Sequence, residues 1–187
     1  MKKLVFQMMI SLDGYFEGLN ADLGWHGPMV DAEFNEYAVK FLDTLDGLVF
    51  GRRTYQMMAA YWPTEAAIKD DPEVAKRMNG LKKFVFSNSL KKTGWENTVL
   101  LKGNAAEEVA KLKKKYNLAI FGSSDLAVQL LGKGVIDEYR IMINPVVLGA
   151  GKPLFSGITE EFRLEFVKSE VFKSGLVTIT YREKKKK

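Results

Sequence analysis

Three short polar turns carry side chains suited to holding an anion. Gly51-Arg52-Arg53-Thr54, Ser87-Asn88-Ser89 and Gly122-Ser123-Ser124 each follow a short apolar run. Arginine can fork onto a phosphate through parallel N–H groups, and serine and threonine hydroxyls add further bonds. The first and third turns open onto helical patterns, where free backbone N–H groups and the positive end of the dipole favour negative charge. In an open α/β sheet, ligands lie beyond the carboxyl ends of the strands. One such turn is no more than a capped helix start. Three in one chain predict a ligand with several phosphates, such as a dinucleotide. Neither the GxGxxG fingerprint nor a Walker A loop is present, so the usual Rossmann and P-loop sites are not indicated.

Asp13 closes the first apolar run and is the carboxylate to watch. It would orient a substrate or relay a proton. A turn aspartate bonding its own backbone before Gly14 is the equal alternative. Trp25 would cover a ring or close the edge of the core, with His26 packing beside it in a loop. Trp62 and the Met57-Met58 pair are expected in the core.

Composition removes several classes of chemistry. The chain of 187 residues has no cysteine and one histidine. Disulfides, thiolate metal sites and cysteine nucleophiles are excluded, as is a zinc deaminase site, and no cluster of histidines can hold a metal. The lack of cysteine fits a reducing cytoplasm, the expected location. The net charge is +5, from 28 basic and 23 acidic side chains, and Lys184 to Lys187 supply four of those charges. The basic balance therefore does not indicate a nucleic-acid-binding face. Residues 1–183 are expected to form one domain, with a disordered lysine tail at 184–187. No apolar run approaches the ~20 residues of a membrane span. The N-terminal run reads as a strand, not a signal peptide.

These turns need a scaffold. Lys3 to Leu12 reads as a central strand, followed by a long loop from Tyr15 to Pro28. Asp31 to Leu45 has apolar residues at helical spacing, with Asp31 as cap. Leu48 to Phe50 is a strand and Thr54 to Tyr61 a helix with Met57, Met58 and Tyr61 inward. Asp71-Pro72-Glu73 starts a further helix. Phe84 to Phe86 and Thr98 to Leu101 are strands, and Asn104 to Tyr116 is a helix capped by Asn104. Leu118 to Phe121 is a strand. Leu126, Ala127, Leu130 and Leu131 share one face of the helix that follows, with Ser123 or Ser124 as its N-cap. Ile136 to Leu148 alternates as a strand, Gly149 to Gly157 is a loop, and Phe162 to Phe172 with Leu176 to Arg182 form a hairpin. The fold class is α/β, with a mostly parallel central sheet flanked by helices and an antiparallel C-terminal hairpin.

The same residues resemble a known family. Ile10-Ser11-Leu12-Asp13-Gly14, Phe50-Gly51-Arg52-Arg53-Thr54-Tyr55, Phe121-Gly122-Ser123-Ser124-Asp125-Leu126 and the stretch from Asn144-Pro145 to Pro153-Leu154-Phe155 stand in the order found in dihydrofolate-reductase-like proteins. The chain most resembles a stand-alone form of the C-terminal reductase domain of the bifunctional riboflavin-biosynthesis deaminase/reductase. Gly134-Val135-Ile136-Asp137-Glu138 adds to that likeness.

The resemblance implies an eight-stranded, NADPH-dependent reductase and a homodimer, the exposed strands of the hairpin and the Pro145 to Leu148 loop being able to pair with a second copy. Carried over by motif, Gly51, Arg52, Arg53 and Thr54, with Ser87 and Asn88, would hold the adenosine end and its 2′-phosphate. Gly122, Ser123, Ser124 and Leu126 would hold the pyrophosphate. The nicotinamide would lie near the first strand and the loop from Gly18 to Trp25. A small-molecule substrate would approach from Asp13, Trp25 and the first helix. The implied activity resembles that of 5-amino-6-(5-phosphoribosylamino)uracil reductase. Dihydrofolate or pterin reduction, or nucleotide binding without turnover, are the alternatives. Two departures bear on this. Asn35, with Glu33 close by, stands where dihydrofolate reductases carry an acid, and Gly122-Ser123 replaces a pair of glycines.

Overall fold

The computed structural model describes residues 2–184. The last residues of the expected lysine tail, 185–187, lie outside the described residues. The chain runs β1 (Leu4–Ser11), β2 (Tyr15–Glu17), two 3₁₀ turns (Leu19–Ala21 and Gly24–Met29), α1 (Ala32–Leu42), β3 (Gly47–Gly51), α2 (Arg52–Tyr61), α3 (Glu65–Asp70) and α4 (Pro72–Gly80). It continues through β4 (Lys82–Phe86), β5 (Thr98–Leu101), α5 (Ala105–Leu112), β6 (Leu118–Phe121), α6 (Ser124–Leu130), β7 (Glu138–Asn144), β8 (Lys152–Pro153), β9 (Leu164–Val171) and β10 (Val177–Glu183).

Eight strands form one sheet in the order β5-β4-β3-β6-β1-β7-β10-β9, and β2 pairs with β8 separately. The strands from β5 to β7 are parallel, while β10 runs antiparallel to both β7 and β9. The expected α/β sheet with an antiparallel hairpin at its end is thus the observed one. Strands sandwiched by helices on both faces read as nearly continuous apolar runs. In β1, Leu4, Phe6 and Met8 face one core with Val49, Ile120, Val109 and Leu130, under α5 and α6. Val5 turns to the other, with Leu48, Phe50, Phe41, Tyr55 and Met78, under α1, α2 and α4. No helix among the described residues is long and apolar enough to cross a membrane.

Local rules explain most of the helix starts. Asp31 accepts the Phe34 N–H at 2.9 Å, Asp71 accepts that of Val74 at 3.1 Å, and Asn104 accepts those of Ala106 and Glu107. Three expectations change. Helix α1 ends at Leu42, before Leu45, where the backbone N–H groups of Thr44 and Leu45 donate to the carbonyls of Phe41 and Leu42, three residues back. Met57 and Tyr61 are exposed, whereas Met58 packs against the core and accepts the Trp62 indole N–H. The loop from Tyr15 contains strand β2, whose partner β8 is far away in sequence.

One buried cation stands out in the second core. Lys83, fully buried in β4, points its ammonium at the Asn79 and Glu96 carbonyls, 2.5 and 3.2 Å away, and lies over the Trp95 ring at 4.3 Å. The Trp95 indole N–H in turn donates to Asn79 Oδ1. Carbonyl oxygens and an aromatic face thus replace the water an ammonium needs.

Candidate cofactor cleft and its flap

The four adjacent strands β5, β4, β3 and β6 end side by side, and their carboxyl ends enclose a cleft of about 350 Å³. Gly51, Arg52, Arg53 and Thr54 come from the β3–α2 turn, Ser87 and Asn88 from the end of β4, and Ser123 and Leu126 from the β6–α6 turn. The three polar turns recognised by composition therefore meet in one place. Gly122 and Ser124 do not line the cleft. Gly122 lies behind it, where an added Cβ would stand 3.3 Å from the Thr54 methyl group, and Ser124 is buried. Lys102 and Gly103, beyond β5, and Gln129 on α6 also line it and were not singled out from the sequence. The available signal was a Lys-Gly pair at the end of a short apolar run.

Two crossed hydrogen bonds hold the β3 and β6 turns together. The Gly51 N–H donates to Ser123 Oγ at 2.8 Å, and the Ser123 N–H donates to Thr54 Oγ1 at 3.1 Å. Ser123 occupies the N-cap position of α6, but its hydroxyl does not cap that helix. The expected cap is absent because the oxygen already serves the neighbouring turn. Ser123 has φ 57°, a left-handed conformation. At β4, Ser87 Oγ accepts the N–H groups of Ser89 and Leu90, which fixes the turn.

The cleft's electrostatics favour an anion. Arg52, Arg53 and Lys102 supply three cations at its rim against Asp125. Arg52 reaches Gln56 on its own helix, and Arg53 lies 3.8 Å from Glu17. Glu17 belongs to β2, and the β2–β8 pair forms a small flap. Lys152 of β8 bonds Asp125 at 2.7 Å. The flap is therefore clipped to the β3–α2 turn by one ion pair and to α6 by another of opposite sense. Both are partly exposed, so each contributes little on its own.

The residues expected on the substrate side are not among those lining the cleft. Asp13 Oδ1 accepts the Ser11 hydroxyl at 2.6 Å and the Leu148 N–H at 3.1 Å, and Oδ2 accepts the Gly149 N–H at 2.7 Å. The Ser11 hydroxyl, helped by these N–H groups, holds the Asp13 carboxyl below its usual range. It joins the end of β1 to the β7–β8 loop. Glu33 accepts the Lys173 N–H at 2.8 Å, and Asn35 is half-buried on α1. Trp25 lies in the second 3₁₀ turn, edge-on to His26 at 5.3 Å. Trp25 Nε1 and His26 Nδ1 are buried with no hydrogen-bond partner. Burial lowers the His26 pKa, with Asp22 acting against it. Among the described residues, no group of three acidic or histidine side chains could hold a metal.

Comparison with known proteins agrees with this architecture. The uncharacterized protein YyaP of Bacillus subtilis (strain 168) is 31% identical over 182 residues, covering 96% of this chain and 94% of that protein. A structure described as a riboflavin biosynthesis protein from Shewanella sp. PV-4 superposes with a TM-score of 0.75 at 29% identity, over 99% of this chain and all of that one. Dihydrofolate reductase from Enterococcus faecalis, solved with NADP(H), shares the fold at a TM-score of 0.64 and 18% identity, over 98% of this chain and 97% of that one. The model of the RibD C-terminal domain matches residues 2–178. The chain belongs to the RibD C-terminal domain family, a family of NADPH-dependent reductases.

Proposed function

We propose that this protein is an NADPH-dependent reductase that holds its cofactor in the cleft beyond β5, β4, β3 and β6 and reduces a ribosylamino-pyrimidine or a related heteroaromatic substrate. The observation that carries this reading is the meeting of three polar turns and three cations in one cleft. The residues fit the cofactor's chemistry. Arg52, Arg53 and Lys102 would pair with its phosphates, Ser87 and Asn88 would bond the adenosine end, and Ser123 and the start of α6 would face the pyrophosphate. When bound, the cofactor supplies the hydride. The protein's own residues bind, orient and exclude water. In this reading Asp13 acts by position, fixing the β7–β8 loop through the Leu148 and Gly149 N–H groups. The lack of cysteine suits work in the cytoplasm.

A second reading, cofactor binding without turnover, is favoured by one specific observation. The carboxylates of Asp13 and Glu33 are both already engaged by backbone N–H groups, and position 35 carries an amide. An NADPH-oxidation screen over the riboflavin-pathway pyrimidine, dihydrofolate and pterins separates the two. Turnover of one of them supports the reductase, and binding with no turnover supports the second reading. In the same protein NADPH should raise the melting temperature more than NADH. Arg52→Ala and Lys102→Ala should each weaken NADPH binding about ten-fold, with the loss growing as salt falls. Unchanged NADPH affinity in both variants would remove the cleft assignment.

A further inference from the structure

We propose that Gln7 reads the substrate's ring, donating from its side-chain amide to a ring carbonyl, and that Tyr37 and Arg140 fix the amide in that sense. The inference deepens the reductase reading and rests on it. It begins with the uneven burial of β1. A strand between two helical layers should be sealed on both faces. Toward α5 and α6, Leu4, Phe6 and Met8 are all in the core. Toward α1, Val5 is buried, but Gln7 and Met9 are only half-buried. Phe121 at the end of β6 and Tyr37 on α1 are half-buried too. Helix and sheet thus part where β1 passes the cofactor cleft. Gln7 stands at that opening. It pairs with Phe121, and its carbonyl accepts the Gly122 N–H at 3.4 Å, beside the turn that carries Ser123 into the cleft.

A glutamine amide has a donating and an accepting end, and its neighbours decide which is offered. The Tyr37 hydroxyl lies 2.7 Å from Gln7 Oε1. Arg140, the partner of Gln7 on β7, has its guanidinium beside the same hydroxyl. That guanidinium is anchored by Glu138 at 3.0 Å and by the Phe41 ring at 4.2 Å. A guanidinium has only donors, so the hydroxyl turns its lone pairs to Arg140 and its proton to Gln7. Gln7 Oε1 is thereby occupied and the NH₂ end is left over. Among the described residues Gln7 Nε2 has no acceptor, and it is not sealed away from the opening.

A free amide N–H in such a place selects a carbonyl and rejects an amino group, because two donors face to face leave both unpaired. Met9, Phe121 and the Tyr37 ring supply the apolar surroundings that a flat heterocycle needs.

Calorimetry on the protein loaded with NADP⁺ tests this with a pair of probes. 5,6-Diaminouracil offers ring carbonyls, and 2,4,5,6-tetraaminopyrimidine offers amino groups in their place. The unaltered protein should bind the uracil about ten-fold more tightly. Gln7→Glu replaces the donor by an acceptor and should reverse the preference. Tyr37→Phe leaves the amide free to turn over and should bring the affinities within about three-fold of each other, which a loss of packing alone would not do. Both variants should keep the NADPH affinity of the unaltered protein, a check that they fold. In NMR spectra the Gln7 side-chain NH₂ signal, identified by its loss in Gln7→Glu, should shift when diaminouracil is added. NADPH binding without a preference between the probes, or a preference that survives Gln7→Glu, would overturn the inference and leave the cofactor cleft standing. So would failure of both probes to bind. An unaltered protein that does not bind NADPH would remove the reductase reading and this inference with it.

Discussion

Ser123 accepts the Gly51 N–H through its hydroxyl while its own N–H is bound by Thr54, so two turns that are 72 residues apart share one hydrogen-bonded seam. That seam aligns the floor of the cleft. Ser123→Ala removes the acceptor and should destabilise the fold by about 1 kcal/mol. Ser123→Gly loses the same oxygen but relieves the left-handed backbone, and should be about 1 kcal/mol more stable than Ser123→Ala. Urea unfolding of the two variants gives the order. The reverse order would show that backbone strain at φ 57° is absent.

Gly151 lets the flap close. A Cβ at this position would stand 2.2 Å from the Glu17 carbonyl oxygen, and φ is +148°. Gly151→Ala should force β8 away from β2, cost about 2 kcal/mol and pull Lys152 off Asp125. Chemical denaturation reads the loss, and amide exchange at Glu17 and Lys152 locates it. Unaltered exchange there would mean that the backbone absorbs the methyl group elsewhere.

Lys83 gives a signature in alkali. Its burial lowers the pKa from 10.5 to about 8, with Glu96 acting against the shift. Between those values the unfolded chain keeps a proton that the folded chain has released. Stability contributed by this site should therefore rise as pH climbs through that window, and the full cost of burying the charge applies below about pH 8. Lys83→Met should flatten the rise in a pH series of urea titrations. Identical pH dependence in both proteins would mean that the ammonium is fully compensated by the Asn79 and Glu96 carbonyls and the Trp95 ring.

Much of this architecture is legible in the residues because its causes are local. Apolar runs announce the buried strands, and Asp31, Asp71 and Asn104 cap the helices their spacing predicts. The three polar turns are visible because arginine and serine stand at the ends of those runs. What stays hidden depends on partners remote in sequence. Strand β2 has three residues and meets β8 some 135 positions later, so no period marks it. Ser123 looks like a helix cap until Gly51 is beside it. Asp13 looks free until the Leu148 and Gly149 N–H groups arrive. Lys102 carries no motif and gains meaning only from the place where β5 ends.

Strand β1 lies between β6 and β7. Strand β1 thus has no partner in the sheet until residues 118–144 have been made. Loop closure over such separations is slow. The strands β3, β4 and β5 adjoin one another and can assemble earlier. Synthesis would therefore yield a half-built sheet first, with β1 waiting unpaired. Its insertion would close both cores in one late step, and a nascent chain stalled before β6 would leave those apolar residues to chaperones.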